Sequence, residues 1–214
     1  MYIQTTTRCN FSCSHCLFGC TEKGSDMSRK TFIAATNLAA EYGQGIDIGG
    51  GEPTIHPLFW DFMGIALSHK SHCENIWLAT NGSIKDIAIA LAEMAKTGVI
   101  SVRLSRDQFH DKIDNEVIKA FTRSENYQNR KEDDYRSMTT EYLSDRQLID
   151  AGRARKNNLR GREDCVCDEC FITPQGKIYS CGCKKESWGT VIKPNIPDNA
   201  MFNHCYKYKN NDNW

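Results

Sequence analysis

Over its first 121 residues the chain alternates short β-forming runs with stretches of helical period, and this alternation restricts the fold more than any other feature. Residues 2 to 7, YIQTTT, read as a strand. Residues 28 to 42 read as a helix, with Phe32, Ala35, Leu38 and Ala39 on one face and Gly43 placed to end it. IDIGGGEP (46 to 53) is a strand running into a glycine loop, and 57 to 69 is a helix. NIWLATNG (75 to 82) is a strand, 84 to 97 a helix, VISVRLSRD (99 to 107) a strand and 114 to 121 a helix. Strands separated by helices of this length form βαβ units and a parallel sheet. Ligands of such sheets bind at the carboxyl ends of the strands. The first cysteines, GGGEP, TNG and SRDQFHD therefore share one rim. Residues 123 to 146 break the rhythm: they are polar, with one irregular strand near 138 to 143. Four βα units followed by little regular sequence predict an α/β fold whose parallel barrel stays open on one side.

Eleven cysteines are the second constraint. Four are Cys9, Cys13, Cys16 and Cys20; six are Cys165, Cys167, Cys170, Cys181, Cys183 and Cys205; Cys73 stands alone. The count is odd, and MYIQTTTRCNF has no basic region followed by an apolar run, so no secretion signal is expected. At 214 residues the chain buries a sizeable core without disulfides. Clustered thiols in a cytoplasmic protein then read as metal or cluster ligands. The most apolar stretch, 87 to 95, holds Glu93 and falls short of the roughly 20 residues of a membrane span. Lys+Arg and Asp+Glu are both 27, so no global basic field favours a nucleic-acid partner.

Cys9, Cys13 and Cys16 form a C-x3-C-x2-C loop after a strand. A closed zinc site needs four ligands, and a 4Fe–4S cluster normally takes four thiolates. Three close thiolates leave one iron open; Cys20 as a fourth would make the site structural. The three cysteines, followed by GGGEP after the next strand, resemble the signature of the radical S-adenosylmethionine (SAM) superfamily over roughly residues 1 to 120. The resemblance implies a 4Fe–4S cluster on Cys9, Cys13 and Cys16, with Cys20 outside it. It implies that the methionine part of SAM lies on the loop of Gly49, Gly50, Gly51 and Glu52, with Glu52 accepting from the ammonium. It places His15, where relatives often carry an aromatic, beside the adenine. Asn81 is either a ribose or carboxylate contact or simply an Asn-Gly turn. Ser105 and Arg106 sit where the family often places polar contacts to SAM; the alternative is a solvated loop. Asp107 and His110 are candidates to face the substrate as catalytic groups, with Phe109 packing on the sheet; a solvated loop is again the alternative.

In the tail, 171 to 173 and 177 to 179 flank Pro174-Gln175-Gly176, a hairpin turn. Cys167, Cys170, Cys181 and Cys183 meet at its base and suit a soft metal, zinc or a second iron–sulfur cluster. Cys165-x10-Gly176-x4-Cys181 resembles the opening of the SPASM and twitch subdomains. That implies one auxiliary 4Fe–4S cluster, with zinc as the alternative, on ligands drawn from Cys165, Cys167, Cys170, Cys181, Cys183 and Cys205. The expected organisation is a partial barrel over 1–160 and a metal-held cysteine-rich subdomain over 161–214. Arg153, Arg155, Lys156, Arg160 and Arg162 are the one basic concentration, either a solvated face or a site for a phosphate or acidic leader. GRA at 152 to 154 resembles a late barrel strand end in SPASM-bearing enzymes.

The resemblance implies an enzyme in which the reduced cluster gives one electron to SAM. The products are methionine and a 5′-deoxyadenosyl radical, which takes a hydrogen from a substrate. SPASM-like tails point to a peptide or protein substrate, as in maturation of ribosomally made peptides, and to a reducing partner such as flavodoxin or ferredoxin. A nucleotide or RNA base is the second substrate class, and a non-catalytic zinc-binding module is the alternative outside enzymes. The length leaves no room for a leader-binding domain of about 80 residues, so a peptide is expected to come with a partner or be recognised by the barrel.

Overall fold

Alternation of side chains along each strand builds the sheet. In β1 (Tyr2–Thr6), β2 (Ile46–Gly50), β3 (Ile76–Thr80) and β4 (Ser101–Leu104), the apolar positions Ile3, Ile46, Ile48, Ile76, Leu78, Val102 and Leu104 are all buried. The opposite positions include Tyr2, Trp77, Ala79 and Arg103, which line a cavity. Each buried aliphatic or aromatic side chain stabilises the fold by about 1.5–3 kcal/mol. A computed structural model of the chain describes residues 1–73, 75–122, 136–138, 148, 151–159, 169–184, 186–198 and 200.

The helices follow from their own stripes. Ser28 caps α1 (Arg29–Glu41), its hydroxyl accepting from the Thr31 amide, and Phe32, Ala35, Leu38 and Ala39 are buried. Helix α2 (Phe59–Ser68) starts two residues after Pro57, and its Phe62 stacks on Phe32 of α1 with centroids 4.1 Å apart. Helices α3 (Lys85–Lys96) and α4 (Asn115–Thr122) follow β3 and β4. The short β5 (Arg136–Met138) pairs parallel with β4. It takes up only the first residue of the strand expected near 138 to 143; residues 139 to 143 lie outside the described residues. A five-residue helix, α5 (Gly152–Lys156), comes next.

Strand order is β5-β4-β3-β2-β1-β6-β7-β8-β9 among the described residues. Strands β1 to β5 step one way, and with right-handed crossovers that stepping keeps α1 to α4 on one face. The sheet does not close: β5 and β9 are its two edges. The expected hairpin is present as β6 (Phe171–Ile172) and β7 (Lys177–Tyr179), turning at Gly176.

The described part of the tail joins the main sheet. Strand β6 pairs parallel with β1, and Tyr2 stacks on Phe171 with centroids 5.4 Å apart. Strands β8 (Ser187–Thr190) and β9 (Lys193–Pro194) extend the same sheet, and Ile172, Ile178 and Trp188 join the common core. The physical reason is the free edge of β1, which a hairpin strand satisfies with backbone hydrogen bonds such as Tyr2 N–H to the Cys170 carbonyl at 2.8 Å. The boundary expected at residue 160 falls outside the described residues.

Candidate active site at the strand ends

The four loops after β1 to β4 do meet. One cavity of about 360 Å³ is lined by Cys9, Cys13, His15 and Cys16 from the first loop, and by Gly50, Gly51 and Glu52 from the second. Asn81 comes from the third, and Ser105, Asp107 and His110 from the fourth. The volume lies within the ~300–1,000 Å³ usual for small-molecule sites. Gly49 is not in the lining.

The glycine loop is shaped by the protein itself. Gly50 has φ 144°, and a Cβ there would strike the Thr6 carbonyl; one on Gly51 would strike the Arg8 carbonyl, and one on Gly49 the Tyr2 hydroxyl. Gly51 N–H donates to Thr6 O at 2.7 Å and Glu52 N–H to Arg8 O at 2.8 Å. The glycines thus let the second loop lie against the strand that enters the cysteine loop. That reason stands beside the close approach to a ligand expected from the sequence, since Gly50 and Gly51 also line the cavity.

Glu52 has protein partners that its sequence context does not show. Its carboxylate is fully buried and engaged by protein donors. Oε1 accepts from the Thr54 amide (3.2 Å), the Thr54 hydroxyl (2.6 Å) and the Thr80 hydroxyl (2.8 Å), and Oε2 from the Asn81 amide (2.6 Å). Burial pushes its pKa up, and these donors oppose the shift. It ties the β2 loop to the β3 loop and also lines the cavity.

Asn81 forms the expected Asn-Gly turn, and its side chain also reaches the cysteine loop. Its Oδ1 accepts from the Ser83 amide at 2.9 Å, an Asx turn before Gly82, whose φ is 71°. Its Nδ2 donates to Asn10 Oδ1 at 3.1 Å and lies 3.9 Å from Cys9 Sγ. Ser105 enters through its amide, which donates to Thr80 O at 2.8 Å.

His15, Asp107 and His110 form a compact group whose ligand-capable atoms lie within 4.8 Å of one another. His110 Nδ1 is 2.8 Å from Asp107 Oδ1, an ion-pair distance out of line for a good hydrogen bond. His15 Nε2 is 3.6 Å from Asp107 Oδ2, and its ring packs against Phe109 with centroids 4.8 Å apart. Burial lowers the pKa of His15, with Asp107 opposing. Burial also works against a charged His110, but Asp107 and Cys13 outweigh it and raise its pKa to about 9. Phe109 therefore packs on His15, not only on the sheet.

Among the thiols, burial raises Cys9 to about 11. Cys16 and Cys20 share a hydrogen bond that favours thiolate on Cys16 and holds the proton on Cys20. Cys20 is itself buried and lines the cavity. In the tail, Cys170 and Cys181 are buried and Cys183 exposed, and burial raises Cys170 to about 12. Cys165, Cys167 and Cys205 lie outside the described residues, as do Arg160 and Arg162.

Sequence reasoning missed Tyr2, Trp77 and Arg103, all in the cavity lining. Their signal was present: each alternates with a buried aliphatic on its strand, so each faces away from the helices.

A family model for the radical SAM superfamily matches residues 3–132. The chain belongs to this superfamily. The superfamily is one of enzymes, and its membership agrees with the open, mainly parallel sheet. The mycofactocin maturase MftC of Mycobacterium ulcerans is 30% identical over 106 residues, 49% of this chain and 28% of the relative. The protein of the same name from Mycolicibacterium smegmatis is 24% identical over 119 residues, 53% of this chain and 29% of the relative. The matched region is thus under a third of these relatives' own length. Among solved structures, BtrN in complex with AdoMet and 2-DOIA has a TM-score of 0.59 at 13% identity, covering 89% of this chain and 76% of that one. Native anSMEcpe with bound AdoMet and the Kp18Cys peptide has a TM-score of 0.56 at 16% identity, covering 92% and 78%. At these identities the structures establish the shared fold. No helix among the described residues is long and apolar enough to cross a membrane.

Proposed function

We propose that this chain is a radical SAM enzyme that modifies a peptide or protein. The carrying observation is the convergence of Cys9, Cys13 and Cys16 with Gly50, Gly51, Asn81 and Ser105 on one cavity in a chain of this family. The residues suit the group: three soft thiol ligands stand at one side of a cavity sized for a small molecule. When bound, a reduced 4Fe–4S cluster supplies the electron that cleaves SAM to methionine and a 5′-deoxyadenosyl radical able to take a hydrogen from substrate.

The chain's own residues hold and orient. Cys9, Cys13 and Cys16 ligate, and the Gly50-Gly51 backbone and Asn81 shape the wall where SAM lies. His15, braced by Phe109, flanks the adenine, and Ser105 contributes a polar contact. Asp107 and His110 form a charge-paired unit at the substrate side. Trp77 and Arg103 on the inner face of the sheet line the same cavity.

The peptide assignment rests on the open sheet and on a neighbour of the same fold whose structure holds AdoMet together with a peptide. Another neighbour holds 2-DOIA, so the fold itself does not choose the substrate. A second 4Fe–4S cluster on the tail cysteines, with flavodoxin or ferredoxin as electron source, completes the proposal. Anaerobic isolation tests it: a brown protein with more than the roughly four irons of one cluster, and peptide-stimulated turnover of SAM, is expected. A colourless protein containing zinc alone overturns it, and stimulation by a nucleotide but by no peptide overturns the substrate class.

A further inference from the structure

Arg153 lies 140 residues from the cysteine loop in sequence, yet most of its polar groups are spent on it. Its backbone N–H donates to Cys16 O at 2.9 Å, Nε to Cys13 O at 2.8 Å and Nη1 to Cys20 O at 2.7 Å. One turn of α5 later, Asn157 Nδ2 donates to Ser14 O at 2.9 Å. The approach is as close as backbone permits: Gly152 has φ 57°, and a Cβ there would strike the Leu17 and Cys16 carbonyls. Within the loop, Cys13 O also accepts from Cys16 N–H at 3.2 Å and Cys16 O from Gly19 N–H at 3.3 Å. Arg153 therefore adds a second donor to the carbonyl of each of these two turns, the first of which sets the spacing of Cys13 and Cys16. The basic run expected as a solvated face or anion site loses Arg153 to this role.

We propose that Arg153 is a positioning residue for the cysteine loop, fixing the carbonyls of Cys13, Cys16 and Cys20 and setting a cation beside the cluster. This rests on the cluster reading above. The guanidinium is a rigid fork that serves two carbonyls in different directions at once, which one ammonium on a flexible stem does not do. Groups of this kind around a metal site hold ligand geometry, and their loss typically costs on the order of 10–100-fold in metal affinity. The reduction potential of an iron–sulfur cluster also follows nearby charge and hydrogen bonding.

The test uses the full chain, reconstituted anaerobically, as wild type, Arg153→Gln, Arg153→Lys and Asn157→Ala. Iron loss to a chelator is timed, and the midpoint potential of the SAM-perturbed EPR signal is titrated, with thermal melts as the folding control. Arg153→Gln is expected to lose iron on the order of tenfold faster and to shift the midpoint to more negative values. Arg153→Lys is expected to restore the midpoint but not iron retention. Asn157→Ala is expected to speed iron loss without moving the midpoint. If Arg153→Gln does not fold, Asn157→Ala decides: wild-type iron retention there overturns the clamp. A folded Arg153→Gln chain with wild-type iron loss and midpoint overturns this inference alone. A wild-type chain that takes up no iron overturns the cluster assignment, and the role of Arg153 with it.

Discussion

Glu52 shows how much one side chain can organise. Four donors from two loops converge on its buried carboxylate. Glutamine in its place presents an NH₂ to at least one of those donors. Glu52→Gln is therefore expected to cost about 1–3 kcal/mol, measured by urea unfolding at neutral pH; an unchanged midpoint would mean that the tie carries no stability. Asp26 gives a prediction in pH. Burial alone would raise its carboxyl, but Arg8 at 2.9 Å and the Thr6 hydroxyl at 2.6 Å outweigh it and hold the pKa below the ordinary value. A depressed carboxyl contributes stability above its unfolded pKa, near 3.9, and loses it as pH falls through the lower folded value. Wild type should exceed Asp26→Asn at neutral pH by no more than about 1 kcal/mol, given the exposure of the pair. The two should converge in acid; a gap that widens there would reverse the sign of the argument.

Among the elements, the strands and helices up to residue 122 were legible because each carries its own period: alternation in β1 to β4, and a single apolar stripe in α1. Where the chain is short of such periods, legibility fails. Strands β8 and β9 span four and two residues and are held by pairing to β7 rather than by pattern. The protein partners of Glu52 and Arg153 were hidden for a related cause. A carboxylate in a glycine loop or a cation in a basic run looks available for a ligand until the fold supplies partners 28 and 140 residues away. The convergence of the cysteines, Asn81 and Ser105 was legible because the ends of parallel strands share a rim. The shared core of sheet and tail carries its own prediction. Trp188, 1% exposed, packs in the same core as Ile3 and Leu78, so Trp188→Ala should cost about 3–5 kcal/mol. A single unfolding transition shifted as a whole is expected by calorimetry; a separate early transition for the tail would contradict the shared core.

For the whole molecule, an open sheet presents an inner face of Tyr2, Trp77, Ala79 and Arg103 with the cysteine loop at its rim, and the tail hairpin extends it at β1. If the tail cysteines hold a second cluster, replacing Cys181 with Ser should remove about four irons and expose residues 165 to 205 to protease, read by iron analysis and limited proteolysis. Loss of one zinc instead would assign a structural ribbon. The central claim is narrower: Cys9, Cys13 and Cys16 hold the cluster at which SAM is cleaved, and Cys20, though buried beside Cys16, does not. The most direct measurement is the yield of 5′-deoxyadenosine from SAM under dithionite, in anaerobically reconstituted wild type, Cys13→Ala and Cys20→Ala. The account predicts product from wild type and Cys20→Ala and none from Cys13→Ala. Full yield from Cys13→Ala, or loss of both product and cluster in Cys20→Ala, would contradict it.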